Sequence, residues 1–155
     1  MLHELLTGQT IQLGVDAPNW RAAIEEAGNL LARTGSVETG YVQAMIKMVE
    51  ELGPYIVVAP GVALPHARPK DGVKRICMSL VSLSRPVSFW HPNYDPVDLI
   101  FALGAVDNSS HVEVMAQLAA LLNDKERLAR IRTAARRGAV SEVISAISQA
   151  SAGSQ

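Results

Sequence analysis

A chain of 155 residues with 48% hydrophobic and 19% charged side chains is about the size of one ordinary domain and lacks the apolar depletion of a disordered polymer. A formal net charge of -1 and a pI near 6.4 give no overall attraction to nucleic acid or to an anionic membrane, so either would need a local patch. The single cysteine, Cys77, excludes an internal disulfide and a cysteine-rich metal cage, and it suits a reducing compartment such as the cytoplasm. The opening MLHELLTGQT has no basic leader, and no later stretch approaches the roughly 20 apolar residues of a spanning helix. The expectation is a soluble, unprocessed protein with one domain over residues 1–155.

In chain order, TIQLGV reads as a short edge strand. DAPNWRAAIEEAGNLLARTG then places Trp20, Ala23, Ile24, Ala27, Leu30 and Leu31 on one helical face, with Gly35 as the stop. SVETGYVQAMIKMVEELG repeats that spacing through Tyr41, Met45 and Met48, flanked by Val42, Ile46 and Val49, and ends at Gly53-Pro54. The pattern next changes to short runs rich in branched residues: YIVVA, GVALPHA, RICMSLVSLS and DPVDLIFALGAV. These predict strands. LIFALGAV is apolar on both alternating sets, as in a strand covered on both faces, which predicts an α/β sandwich with helices on each side of the sheet. DNSSHVEVMAQLAALLND predicts a third helix from near Ser110, with Met115, Leu118 and Leu122 on its stripe. Asn123 or Asp124 can cap a fourth helix through KERLARIRTAA. AVSEVISAISQAS makes a fifth before a polar tail expected to fray.

Four histidines are candidates for chemistry. His3 lies near a terminus and reads as solvent-facing. His91 sits in a turn whose composition explains it structurally. His66 lies in GVALPHARPK, where Pro65 and Pro69 restrict the backbone on either side and hold the imidazole on an extended path. By spacing alone the commoner reading of such a residue is a loop histidine satisfied by a carbonyl.

His111 is expected in the first turn of the third helix, where unpaired N–H groups and the helix dipole favour an anion. Its spacing to Met115 and Leu118 directs the ring toward the sheet. If both histidines reach one sheet edge, they form a nucleophilic imidazole, a second imidazole and a set of backbone donors, which suits a phosphoryl group. Arg68 and His111 are the candidate phosphoryl contacts.

Other chemistries lack their apparatus. The chain has no P-loop, no glycine-rich dinucleotide turn and no G-x-S-x-G elbow, and Cys77 lies in an apolar run as a small hydrophobe. A zinc site from His66, His111 and Asp107 or Asp95 lacks ligand spacing. The basic cluster of Arg127, Arg130, Arg132, Arg136 and Arg137 reads as a solvated helix face near a C-terminal dipole.

GPYIVVAPGVALPHARPKDGV, PVSFWHPNYDPVDLIFALGAVD and SHVEVMAQLAALLND resemble the enzyme IIA component of the phosphoenolpyruvate-dependent sugar phosphotransferase system. The similarity is to the mannitol/fructose-type superfamily and, within it, to the ascorbate type. The resemblance implies a small mixed sheet flanked by helices on both faces. It also implies a relay in which His66 accepts a phosphoryl group from the carrier protein HPr and passes it to a cysteine of enzyme IIB, with His111 supporting the phosphorylated ring. It suggests Nε2 as the phosphorylated nitrogen and requires no cofactor or metal. Mannitol and fructose members carry an arginine ahead of the active histidine, whereas this chain has none between Arg33 and Arg68. Either Arg68 substitutes or the group is held differently.

An exposed His66 must meet two partners in turn, which predicts an apolar rim from Val62, Leu64 and Trp90. Two alternatives stay open: a regulatory relative similar to nitrogen-type enzyme IIA, and a structural or metal-binding module. A homodimer is also left open.

Overall fold

The computed structural model describes residues 2–107, 109 and 111–148. Its sheet contains β1 (Ile11–Val15), β2 (Val57–Ala59), β3 (Val62–Ala63), β4 (Cys77–Val87) and β5 (Val97–Gly104), in the order β1-β4-β5-β3-β2. The sheet is mixed. β1 runs parallel to β4 and β3 parallel to β5, whereas β4 with β5 and β2 with β3 are antiparallel. TIQLGV is therefore an edge strand, as its short length implied.

Period-two alternation in β5 divides the core into two layers. Ile100 and Ala102 pack with Ile24, Leu31 and Met45 of α2 (Trp20–Arg33) and α3 (Gly40–Leu52). Leu99, Phe101 and Leu103 turn the other way. They join Leu118, Ile131 and Val143 of α4 (Val112–Leu122), α5 (Lys125–Arg136) and α6 (Val140–Ser148). Both faces are covered, which is why LIFALGAV is apolar throughout. Ser79 interrupts the apolar run of β4, and its buried hydroxyl donates to the Ala27 carbonyl of α2 at 2.7 Å.

Local signals set the helix ends. The Asn19 side chain accepts the Ala22 N–H at 2.9 Å and starts α2. Of the two candidate caps for α5, Asp124 is the one used, accepting the Arg127 N–H, while Asn123 closes α4. Gly53, at φ 84°, turns the chain out of α3.

One element lies outside the sequence reading, and two expectations are corrected. A short helix α1 (Leu2–Leu5) precedes β1; its Leu2 is buried with Leu6, and the Leu2 N–H donates to Gln117 Oε1. Four residues are too few for a periodic pattern to register. The basic cluster is also not uniformly a solvated face. Arg127 is buried and donates to the Ala146 and Ile147 carbonyls at the end of α6, and Arg132 chelates Asp98 at 2.9 Å while reaching the Pro60 carbonyl at 3.0 Å. Guanidinium groups have enough donors to satisfy carbonyls and carboxylates that α5 packs against. The third helix begins at Val112, two residues beyond Ser110, with His111 in the cap position. Ser110 and the polar tail beyond Ser148 lie outside the described residues.

Candidate active site

Parallel pairing of β3 with β5 decides which residues meet. Val62 pairs with Leu99 and Ala63 with Ile100, so both strands finish at the same end of the sheet. His66 follows β3 there, and His111 follows β5 across a short connection. Beyond the regular strand, the Leu103 N–H donates to the Pro65 carbonyl at 3.0 Å, and the Leu64 N–H to the Ile56 carbonyl at 2.7 Å. The segment entering His66 is thus held from both neighbouring strands. His66 and His111 thus both follow strands that finish at this end of the sheet.

The His66 ring is partly buried, and its Nδ1 lies 2.8 Å from the Leu64 carbonyl oxygen. A carbonyl can only accept, so Nδ1 carries the proton and Nε2 keeps a free lone pair. The loop histidine satisfied by a carbonyl is therefore also one that leaves a ring nitrogen unprotonated. Tyr55 packs edge-on to the ring, with centroids 5.6 Å apart and planes at 84°.

His111 is half-buried at the start of α4, where it makes no capping bond, and its Nδ1 is buried without a hydrogen-bond partner among the described residues. Arg68 stands at the head of a single 3-10 turn (Pro69–Asp71). Its backbone N–H donates to Asp71 Oδ2 at 3.0 Å, and its Nε is 3.4 Å from the same oxygen. With 63% of its side chain exposed, Arg68 leans on Asp71 at the rim.

Tyr41 is a residue that sequence reasoning missed. It was counted on the apolar stripe of α3, and it is indeed buried, but its hydroxyl donates to the Leu103 carbonyl at 2.7 Å and accepts the Ala67 N–H at 3.0 Å. Burial pushes its phenol up to about 12, outweighing the opposing Ala67 hydrogen bond. A tyrosine on a buried stripe needs a polar partner, which was the available signal.

The expected rim is corrected as well. Val62 and Leu64 are buried, because β3 lies between two strands with both faces covered. Trp90 is 77% exposed but belongs to the connection from β4 to β5, at the opposite end of the sheet. The exposed apolar residues at the His66 end are Leu52, Tyr55, Val106 and Val112.

The other histidines and acids are engaged elsewhere. His3 is exposed on α1. His91 stacks on Tyr94 at 4.8 Å and accepts the Asn93 and Tyr94 N–H groups on Nδ1, forming its own turn. Asp95 lies in that turn. Partial burial opposes its ionisation, but hydrogen bonds from Ser88, Phe89, Trp90 and His91 prevail and hold its carboxyl below the usual range. Asp107 accepts the Ser109 N–H. Among the described residues no three histidine, cysteine, aspartate or glutamate side chains converge.

Fold and site together define a small α/β protein with a mixed sheet, helices on both faces and a histidine at the end of β3. Residues 4–147 match the family described as phosphoenolpyruvate-dependent sugar phosphotransferase system, EIIA 2, and the chain belongs to it. An ascorbate-specific PTS system EIIA component of Escherichia coli (strain K12) is 41% identical over 129 residues, covering 83% of this chain and 84% of that protein. The solution structure of the mannitol-specific cryptic phosphotransferase enzyme IIA CmtB from Escherichia coli superposes with a TM-score of 0.83 at 30% identity, covering 97% of this chain and 100% of that one. Enzyme IIA in the complex of IIAMtl with phosphorylated IIBMtl from Escherichia coli gives 0.77 at 28% identity, over 92% and 98%.

Proposed function

We propose that the whole chain acts as one domain in the cytoplasm, where His66 Nε2 takes a phosphoryl group from the phosphohistidine of HPr and hands it to a cysteine of an enzyme IIB serving L-ascorbate uptake. The observation that carries this reading is the hydrogen bond from Nδ1–H of His66 to the Leu64 carbonyl, which leaves Nε2 as the nucleophile.

In the first transfer the Nε2 lone pair forms the new N–P bond as the carrier's N–P bond breaks, and that bonding pair returns to the carrier's imidazole. One ring gains the positive charge that the other loses. The Leu64 carbonyl, already accepting from Nδ1–H, stabilises the charge on the His66 ring. In the second transfer the partner's thiolate attacks phosphorus, and the N–P electrons return to Nε2. The protein's task is positioning and electrostatics: His111 and the positive N-terminal end of α4 meet the phosphoryl oxygens. Arg68, tethered to Asp71 only through its backbone and Nε, is long enough to swing toward the same oxygens.

Leu52, Tyr55, Val106 and Val112 offer an apolar docking rim that two partners can use in turn. Substrate class is carried by the 41% identity to an ascorbate-specific relative.

The test is intact-protein mass spectrometry after incubation with phosphoenolpyruvate, enzyme I and HPr. The expected result is one acid-labile phosphoryl group on the wild type and none on His66→Ala. No adduct on folded wild type, with HPr itself phosphorylated, removes the transferase reading in favour of regulation by binding.

A further inference from the structure

We infer that Tyr41 is a positioning residue for phosphoryl transfer at His66, an inference that rests on the functional reading above. Its hydroxyl bridges two backbone groups: it accepts the Ala67 N–H at 3.0 Å and donates to the Leu103 carbonyl at 2.7 Å. The Leu103 N–H in turn donates to the Pro65 carbonyl at 3.0 Å. Both residues flanking His66 are therefore tied to Leu103, one directly and the other through the Tyr41 hydroxyl. The ring itself is tied a third time, through Nδ1 to the Leu64 carbonyl at 2.8 Å.

Three ties fix the backbone path and the ring plane, so Nε2 has one location relative to the end of β5. That same strand end leads to His111, so Leu103 is the common reference for the nucleophile and its supporting imidazole. A displacement on the order of 1 Å at a reacting atom can cost about a hundredfold in rate.

Tyr41 is wholly enclosed, at 0% exposure, and cannot touch the phosphoryl group or a docked partner. It acts through Ala67 and Leu103 alone. Its phenol, raised to about 12 mainly by burial, stays neutral throughout the physiological range, so the bridge persists wherever transfer operates. The ring lies in the core cluster that also holds Val37, Met45 and Ile100. A phenylalanine would retain that packing, so the hydroxyl can be tested separately.

The experiment compares wild type with Tyr41→Phe, using phospho-HPr as donor in rapid-quench assays, with rates expressed per folded molecule. The expected outcome is a transfer rate at saturating carrier lowered about tenfold or more, with the half-saturating carrier concentration unchanged, because the docking rim is untouched. The Ala67 amide should lose hydrogen-exchange protection, and the His66 15N ring signals should shift away from a single Nδ1–H tautomer. A purely structural role would lower the melting temperature and leave the rate and the tautomer at wild-type values, which overturns the inference.

If the variant does not fold, the wild type decides by hydrogen exchange. An Ala67 amide protected like those of β5 supports the bridge, and one exchanging as an open loop refutes it. Wild type that takes no phosphoryl group removes the functional reading and this inference with it, whereas a phosphorylated wild type with an unimpaired variant removes the inference alone.

Discussion

The His66 Nδ1 lies 2.8 Å from the carbonyl oxygen of Leu64, two residues earlier in the chain, so a local backbone contact leaves Nε2 as the ring nitrogen with a free lone pair, the one assigned to attack in the proposed function. The tautomer follows from hydrogen-bond chemistry, since an oxygen without a proton requires one from the ring. We expect 15N NMR of the unphosphorylated protein, with the His66 ring neutral, to show a protonated Nδ1 and an unprotonated Nε2. After reaction with phospho-HPr the phosphorus coupling should appear on Nε2. Coupling to Nδ1 would require the Leu64 contact to break and would refute this assignment.

Gly104, at the end of β5, pairs with Cys77, and a Cβ placed there would come within 2.7 Å of the Cys77 sulfur and 3.3 Å of Val37. Neither neighbour is a loose surface chain. Gly104→Ala should therefore cost about 1–3 kcal/mol through overpacking, read as a lower urea midpoint at unchanged slope. Stability equal to wild type would show that the strand end relaxes freely.

Cys77 is buried, and burial pushes its thiol up to about 11 against smaller opposing effects of the Gly104 carbonyl contact and Arg75. The nucleophilic thiolate is therefore scarce at neutral pH and is shielded as well. Native protein should resist a thiol-directed disulfide reagent and react stoichiometrically only in denaturant. Rapid modification of the folded protein would contradict the burial.

Arg127 binds the Ala146 and Ile147 carbonyls from a buried position, capping α6 from α5. Replacing it with leucine leaves those carbonyls without their charged donor. Arg127→Leu should cost about 3 kcal/mol and loosen α6 first, seen as early exchange of α6 amides. An unchanged melting curve would show that water takes over the cap.

Tyr41 also sets an alkaline limit. Its folded pKa of about 12 exceeds the ordinary tyrosine value of 10.0, so its contribution to stability is full below pH 10 and declines as pH rises toward 12, where the unfolded chain ionises first. Urea midpoints measured across that window should fall more steeply for wild type than for Tyr41→Phe. Parallel curves would mean that the phenol is not shielded as described.

Residue pattern alone was enough for the long helices, the four later strands and both histidines. Each long helix carries its stripe at a spacing only one period satisfies, and β5 is apolar on both sets because it is covered on both faces. The 'PH' string between two prolines and the histidine before α4 were legible as a pair of imidazoles near strand ends. The short α1, the burial of Val62 and Leu64, and the structural use of Arg127 and Arg132 were not. Local pattern carries no information about which face a two-residue strand presents or which distant carbonyl an arginine meets.

By itself the sequence determined the types of the longer elements and pointed to a pair of candidate histidines, because these depend on residues near one another in the chain. Tertiary structure decided what required distant segments to meet. Parallel pairing of β3 with β5 set which strand ends share an edge, and the placement of Trp90 at the other end followed from that pairing. The Tyr41 bridge from α3 to Ala67 and Leu103 exists only once helix and sheet have packed, since a buried hydroxyl takes whatever backbone groups the fold brings within reach.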